Sequence, residues 1–158
     1  MVDKLTPAAR SENMRRIRGK NTQPEMLVRR FLHSAGLRYR LHRSGLPGRP
    51  DLVFASRRVC VFVHGCFWHG CPHCIDGTRS VKSNALYWQT KIVGNRERDA
   101  RHVAALEGQG WKVLVIWECE TRERGCLLAL RDAIRAATRL PHIEADHQHE
   151  DARRGVAV

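Results

Sequence analysis

Negative charge is scarce in this chain. Its 158 residues carry 16 Asp plus Glu against 28 Lys plus Arg, a formal net charge of +12. That imbalance argues against cationic partners and points to a polyanion, with nucleic acid first. An anionic membrane surface would need a basic amphipathic helix with a strongly apolar face, and no segment reads that way. Long apolar runs are missing too. None approaches the roughly 18 residues of a membrane span. The first residues, MVDKLTPAARSENMRR, contain no hydrophobic signal core, so a cytoplasmic protein is expected. In that reducing compartment the six cysteines read as thiols or metal ligands rather than disulfides. There is no internal repeat and no sign of a second domain. The hydrophobic content, 42%, is enough for one compact core.

Polar and basic residues dominate positions 1–20, which we expect to form a DNA-contacting arm, with a solvated tail as the plainer alternative. Thr22-Gln-Pro-Glu25 reads as a capping box opening a helix that carries Leu27, Phe31, Leu32 and Ala35 and stops at Gly36. Strands are expected near 37–42, 51–55 and 58–64, the last two joined as a hairpin. Val59 to Val63 is apolar on both faces, the mark of a central, doubly covered strand. A long helix is expected at 84–107 with Trp88, Ile92, Val103 and Leu106. A second wholly apolar strand follows at 111–118, then a closing helix at 121–138 with Leu127, Leu130, Ile134 and Ala137. From 141 to 158 the chain reads as a disordered tail. The order α-β-β-β-α-β-α predicts a mixed sheet with helices on its faces.

The densest chemistry lies at 64–74, His-Gly-Cys-Phe-Trp-His-Gly-Cys-Pro-His-Cys. Cys66-x4-Cys71-x2-Cys74 supplies three thiolates. Cys119 could complete a tetrahedral zinc site if its strand neighbours the strand before Cys66, and His73 could stand in for Cys74. The plainer reading is buried thiols, as for Cys60 and Cys126. Pro50-Asp51 begins one strand and Phe62-x-His64 ends the next, so a hairpin puts a carboxylate beside an imidazole at one sheet edge. His69, on the loop that follows, can fold back toward it. A carboxylate there can hold Mg²⁺, and an imidazole can take a proton from water, which is equipment for cutting a phosphodiester. Taken singly, Asp51 could be a turn residue, His64 a core histidine and His69 a zinc ligand.

Four separated stretches, LPGRPDLVF (46–54), FVHGCFWHGC (62–71), YWQTKIVGNRERD (87–99) and GWKVLVIWECE (110–120), resemble the very short patch repair (Vsr) mismatch endonucleases, as does SENMRRIRGKNTQPE (11–25). The resemblance spans roughly residues 5–138. It implies a variant of the restriction-endonuclease-like fold, the PD-(D/E)xK superfamily, with Phe62-Val63-His64 where the usual second carboxylate and lysine would stand. It implies a bacterial, nucleoid-associated monomer that nicks duplex DNA 5′ of the thymine in a T:G mismatch, with mismatch-repair proteins as candidate partners. Asp51 and the Val63 carbonyl would hold Mg²⁺, His69 would act as general base, and His64 and Glu25 would support water and phosphate. Cys66, Cys71, Cys74 and Cys119 would hold zinc, although the spacing at 70–74 departs from other members and leaves His73 open. Phe67, Trp68 and Trp88 would wedge into the base stack. Met14, Lys91 and Asn95 would lie near the mismatched pair. From periodicity alone, Trp88 and Trp111 read as core. Two other readings stand beside this one: a zinc-bearing DNA-binding module without chemistry, and a restriction-type nuclease acting on matched sites.

Overall fold

The computed structural model describes residues 6, 12, 20–82 and 84–139. Met14, most of the basic arm and the tail from 141 lie outside the described residues. The elements are α1 (Gln23–Ser34), β1 (Arg40–Leu41), β2 (Leu52–Phe54), β3 (Val59–His64), α2 (Cys66–His69), α3 (Ile75–Thr78), α4 (Ala85–Gly108), β4 (Lys112–Trp117) and α5 (Arg124–Ala136), with single 3₁₀ turns at Ala55–Arg57 and Glu120–Arg122. The four strands form one sheet in the order β1-β2-β3-β4. β1 and β2 are antiparallel, as are β2 and β3. β3 and β4 run parallel, with His64 opposite Trp117. The sheet is therefore mixed, with helices on its faces, as expected.

Side-chain alternation along β3 assigns the two faces. Val59 and Val61 join Val28 and Leu32 of α1 and Leu130 and Ile134 of α5 in the larger core. Cys60 and Phe62 point the other way, to Leu106 of α4 and Val53 of β2. The central position of β3 and its covering on both sides agree with its apolar sequence. β4 differs from expectation. Its sequence is as apolar, but it is the sheet's edge, and only Ile116 within it is buried. The first strand shrinks from the expected 37–42 to two residues. The buried stripe of α1 runs through Val28 and Leu32, with the polar pair Glu25 and Arg29 also buried on that helix, whereas Leu27 is only half-buried. The span expected to be a plain metal-binding loop contains two one-turn helices, α2 and α3.

The capping box also departs from the expected form. Thr22 Oγ1 accepts from the Glu25 amide at 3.4 Å, but the Glu25 carboxylate takes the Asn21 N–H at 3.0 Å. The reciprocal bond skips back one residue, to Asn21, which sits in the left-handed region with φ 57°.

Candidate active site

The alternation that buries Phe62 sends His64, two residues on, to the same face of the sheet, where α4 packs. Asp51 sits one step beyond the Leu52–Val61 pair. Its Oδ2 accepts the Val63 amide N–H at 2.8 Å, so the expected meeting of carboxylate and strand end occurs. Val63 meets Asp51 through its amide. Burial is the main reason the Asp51 carboxyl is pushed up to about 6, with the charge of Glu25 adding and the Val63 amide and Arg29 opposing.

Gly65 turns the chain out of β3, and α2 makes one turn before Gly70, at φ 63°, ends it. That turn brings His69 back over His64. The rings stack, with centroids 4.1 Å apart and planes 9° from parallel. Trp117 meets His64 edge-on at 5.4 Å. Burial, and then the neighbouring His69, hold His64 well below the ordinary imidazole range, with Asp99 opposing. His69 Nδ1 lies 2.5 Å from Asp99 Oδ2. An ionised carboxylate only accepts, so Nδ1 carries a proton, and in the neutral ring Nε2 keeps its lone pair. The three side chains are close enough to surround a cation, but this bond already engages one oxygen of Asp99 and one nitrogen of His69.

Asp99 was not expected from the sequence. On α4 the residues turned toward the protein are 88, 92, 95, 99, 102, 103 and 106, the four-and-three rhythm of a helix face. Three of those positions are polar, Asn95, Asp99 and His102. Asn95 Nδ2 donates to the Trp68 carbonyl at 2.8 Å, which ties α2 to α4. A polar residue on a packed stripe was the available signal.

Asp51, His64, His69 and Asp99 line one cleft of about 790 Å³, with Lys20, Arg49, Lys91 and Arg98 also on its walls. Glu25 reaches this cleft already engaged. Its Oε2 takes Arg29 at 2.8 Å and the Asn21 amide, and its Oε1 takes the Thr22 hydroxyl at 3.0 Å. His42 also lies here, with Nδ1 3.9 Å from Asp51 Oδ1. Neither Arg29 nor His42 was expected at the site. Ligand atoms of Glu25, His42 and Asp51 lie within 4.8 Å of one another, and this acidic group suits a divalent cation.

Parallel pairing of β3 and β4 delivers Cys66 and Cys119 side by side, each two residues past the His64–Trp117 pair. The Sγ atoms of Cys66, Cys71, Cys74 and Cys119 lie within 4.8 Å of one another. Cys71 and Cys119 are 3.8 Å apart, and a tetrahedron with Zn–S bonds of about 2.3 Å has sulfurs about 3.8 Å apart, so the four thiols fit zinc. Backbone N–H groups point at the sulfurs: Cys119 to Cys66 at 3.3 Å, His73 to Cys71 at 3.4 Å, and Gly77 to Cys74. His73 enters through its amide, and its ring is not among the clustered ligand atoms. Cys60, by contrast, is a lone buried thiol pushed up to about 12 by burial.

Phe67 and Trp68 of α2 and Trp88 of α4 form a half-buried aromatic trio. Centroids are 5.3 Å apart for Phe67–Trp68, 5.4 Å for Phe67–Trp88 and 5.7 Å for Trp68–Trp88, all edge-to-face. Exposed Tyr87 meets Trp88 edge-to-face at 5.2 Å, and Lys91 Nζ lies 5.8 Å from the Tyr87 ring centre. Trp111 instead packs against the smaller core, as its periodicity suggested.

A family profile described as "DNA mismatch endonuclease Vsr" matches residues 2–75. The chain is 52% identical over 129 residues to the type II nicking enzyme V.XorIIP of Xanthomonas oryzae pv. oryzae, covering 82% of this chain and 93% of that protein. It is 41% identical over 128 residues to the DNA mismatch endonuclease Vsr of Escherichia coli (strain K12), covering 78% of each. A looser likeness in three dimensions is to the catalytic domain of homing endonuclease I-Bth0305I, at TM-score 0.46 and 16% identity, over 73% of this chain and 92% of that one. Shared sequence over most of both chains, in relatives named for cutting DNA, makes this protein a DNA endonuclease that belongs to the Vsr mismatch endonuclease family.

Proposed function

We propose that the enzyme nicks one DNA strand on the 5′ side of the thymine in a T:G mismatch, the lesion left when 5-methylcytosine deaminates, with Mg²⁺ at Asp51 and Zn²⁺ among the four cysteines. The observation that carries this reading is the His69–Asp99 pair, bonded at 2.5 Å and stacked under His64 in the same cleft as Asp51. The names of the two relatives, a nicking enzyme and a mismatch endonuclease, support a single-strand cut at a mispair.

Asp99 holds the Nδ1 proton of His69, which leaves Nε2 to accept a proton from the attacking water. The Asp99 charge then steadies the imidazolium, as a buried carboxylate does in other His–Asp pairs. His64, kept neutral by burial, meets the phosphate as a hydrogen-bond donor. A hard divalent cation held by Asp51, with the Val63 carbonyl beside it, would draw charge off the phosphate oxygens and make a bound water more acidic. Glu25 acts on the cation's surroundings through Arg29 rather than as a free carboxylate.

Phe67, Trp68 and Trp88 are the wedge. Separating stacked base pairs costs a few kcal/mol, and less where the pair is already distorted. A trio preassembled between the cysteine-bearing turn and α4 loses little side-chain freedom on entering DNA. Lys91 lies beside it, and Asn95 serves by fixing the Trp68 backbone. Chromosomal DNA is the substrate this implies, and among the described residues no helix is long and apolar enough to cross a membrane.

Single-turnover nicking of a T:G duplex tests the assignment of the base. His69→Ala is expected to remove the reaction. Asp99→Asn is expected to slow it by about 10²-fold or more, the usual worth of a positioned general base, while zinc content and folding stay unchanged. Full activity in Asp99→Asn would remove the pair from the mechanism.

A further inference from the structure

Arg29 is only 5% exposed and spreads its guanidinium over three nitrogen and oxygen acceptors, with the Met26 sulfur 3.6 Å from NH1 besides. NH1 donates to Asn21 Oδ1 at 2.6 Å, NH2 donates to Glu25 Oε2 at 2.8 Å, and the same NH2 lies 3.1 Å from His42 Nε2. Its Nε has no partner among the described residues. A buried unpaired N–H is costly, so packing alone does not reward this placement. His42 is also held at a cost. Its backbone lies in the left-handed region, φ 42°, which disfavours residues with a side chain. It directly follows β1, and its ring lines the cleft.

The hydrogen bond fixes which ring nitrogen carries the proton. Arginine has donors and no acceptor, so His42 Nε2 must accept, and a neutral ring then carries its proton on Nδ1. Nδ1 is the atom facing Asp51 Oδ1 at 3.9 Å. A protonated ring nitrogen offers a cation no lone pair. Glu25, His42 and Asp51 together look like a mixed nitrogen-and-oxygen cation site. Arg29 withdraws the nitrogen from that set and engages one oxygen of Glu25. What remains is oxygen alone, the ligand set that suits Mg²⁺, whereas a free imidazole would raise the site's affinity for transition metals.

We propose that Arg29 determines cation choice in this enzyme by fixing His42 in the tautomer that cannot ligate, so that the pocket at Asp51 stays oxygen-only. The proposal rests on the reading that Asp51 holds the cation.

The test uses the full-length, zinc-loaded protein and reads the ligands, not the activity. A long-range ¹H–¹⁵N spectrum of the histidine rings is expected to show His42 with its proton on Nδ1; a proton on Nε2 overturns the proposal. With Mn²⁺ as probe, electron spin-echo modulation is expected to show no directly bound ¹⁴N in the wild type. In Arg29→Met it is expected to show one imidazole nitrogen, which Arg29→Met with His42→Gln loses again. Directly bound nitrogen in the wild type overturns the proposal, and so does a folded Arg29→Met protein that shows none. If Arg29→Met does not fold, the wild-type tautomer and Mn²⁺ spectra still decide. Asp51→Asn separates the two ideas. Mn²⁺ binding that survives it unchanged defeats the placement of the cation at Asp51, whatever the tautomer of His42.

Discussion

At the scale of single residues, the cleft buries groups that would be easier to leave in water. The Asp51 side chain is 17% exposed and titrates near 6 instead of 3.8. Between those values the folded protein holds a proton that the unfolded chain has released, so stability falls as pH rises through this window. Above it the full cost applies, about 3 kcal/mol at roughly 1.4 kcal/mol for each tenfold change in proton affinity. His64 works in the opposite sense. Its lowered pKa means stability is lost as pH drops below the ordinary imidazole range, because the unfolded ring takes up a proton that the folded one refuses. Comparing a variant with the wild type cancels the His64 contribution. Metal-free Asp51→Asn is therefore expected to be more stable than metal-free wild type by about 2–3 kcal/mol at pH 8, with the gap closing by pH 4. Urea unfolding at both pH values measures it. A gap that stays constant with pH would show that burial of the charge is not its origin.

At the scale of elements, the two one-turn helices α2 and α3 hold Phe67 and Trp68 beside Cys66, Cys71 and Cys74, against Trp88 of α4 and Cys119 after β4. Gly77 of α3 packs so tightly that an added Cβ would lie 2.1 Å from the Cys71 carbonyl oxygen and 2.5 Å from its Cβ and N. Backbone is the obstacle, so a side chain there must displace Cys71. Gly77→Ala is expected to reduce bound zinc well below one per chain, by metal analysis, while far-UV circular dichroism still reports the sheet and α4. A full zinc complement in that variant would refute the packing of α3 on Cys71. Local sequence showed much of this architecture. The run Val59–Val63 announced a buried strand, and the Cys66-x4-Cys71-x2-Cys74 spacing announced thiols that gather at one point. Contacts decided by tertiary neighbours were not visible. β4 is as apolar as β3, and only pairing order makes it an edge. His69 was evident, but its partner Asp99 lies thirty residues away and meets it only once α4 packs against α2. Arg29 and His42, thirteen residues apart, depend on the left-handed turn at His42, which side-chain type does not encode.

At the scale of the whole molecule, a net charge of +12 is matched by a basic rim on the cleft, with Lys20, Arg49, Lys91 and Arg98. Affinity for duplex DNA should then fall linearly on a logarithmic scale with salt, because each neutralised phosphate releases counterions. Arg49→Gln is expected to lower the magnitude of that slope by about 1 for a T:G duplex and a matched duplex alike, as measured by fluorescence anisotropy across a salt series. A loss confined to the T:G duplex would instead make Arg49 a reader of the mispair.

One cleft, one wedge and one strand cut act together in the proposed reaction. The decisive assay incubates the protein and Mg²⁺ with end-labelled duplexes that differ only in a T:G or a T:A pair, and resolves both strands. A single nick 5′ of the mispaired thymine, an intact guanine strand and an uncut T:A duplex are expected. Equal cutting of the matched duplex, or cleavage of both strands, would instead make the enzyme a restriction-type nuclease.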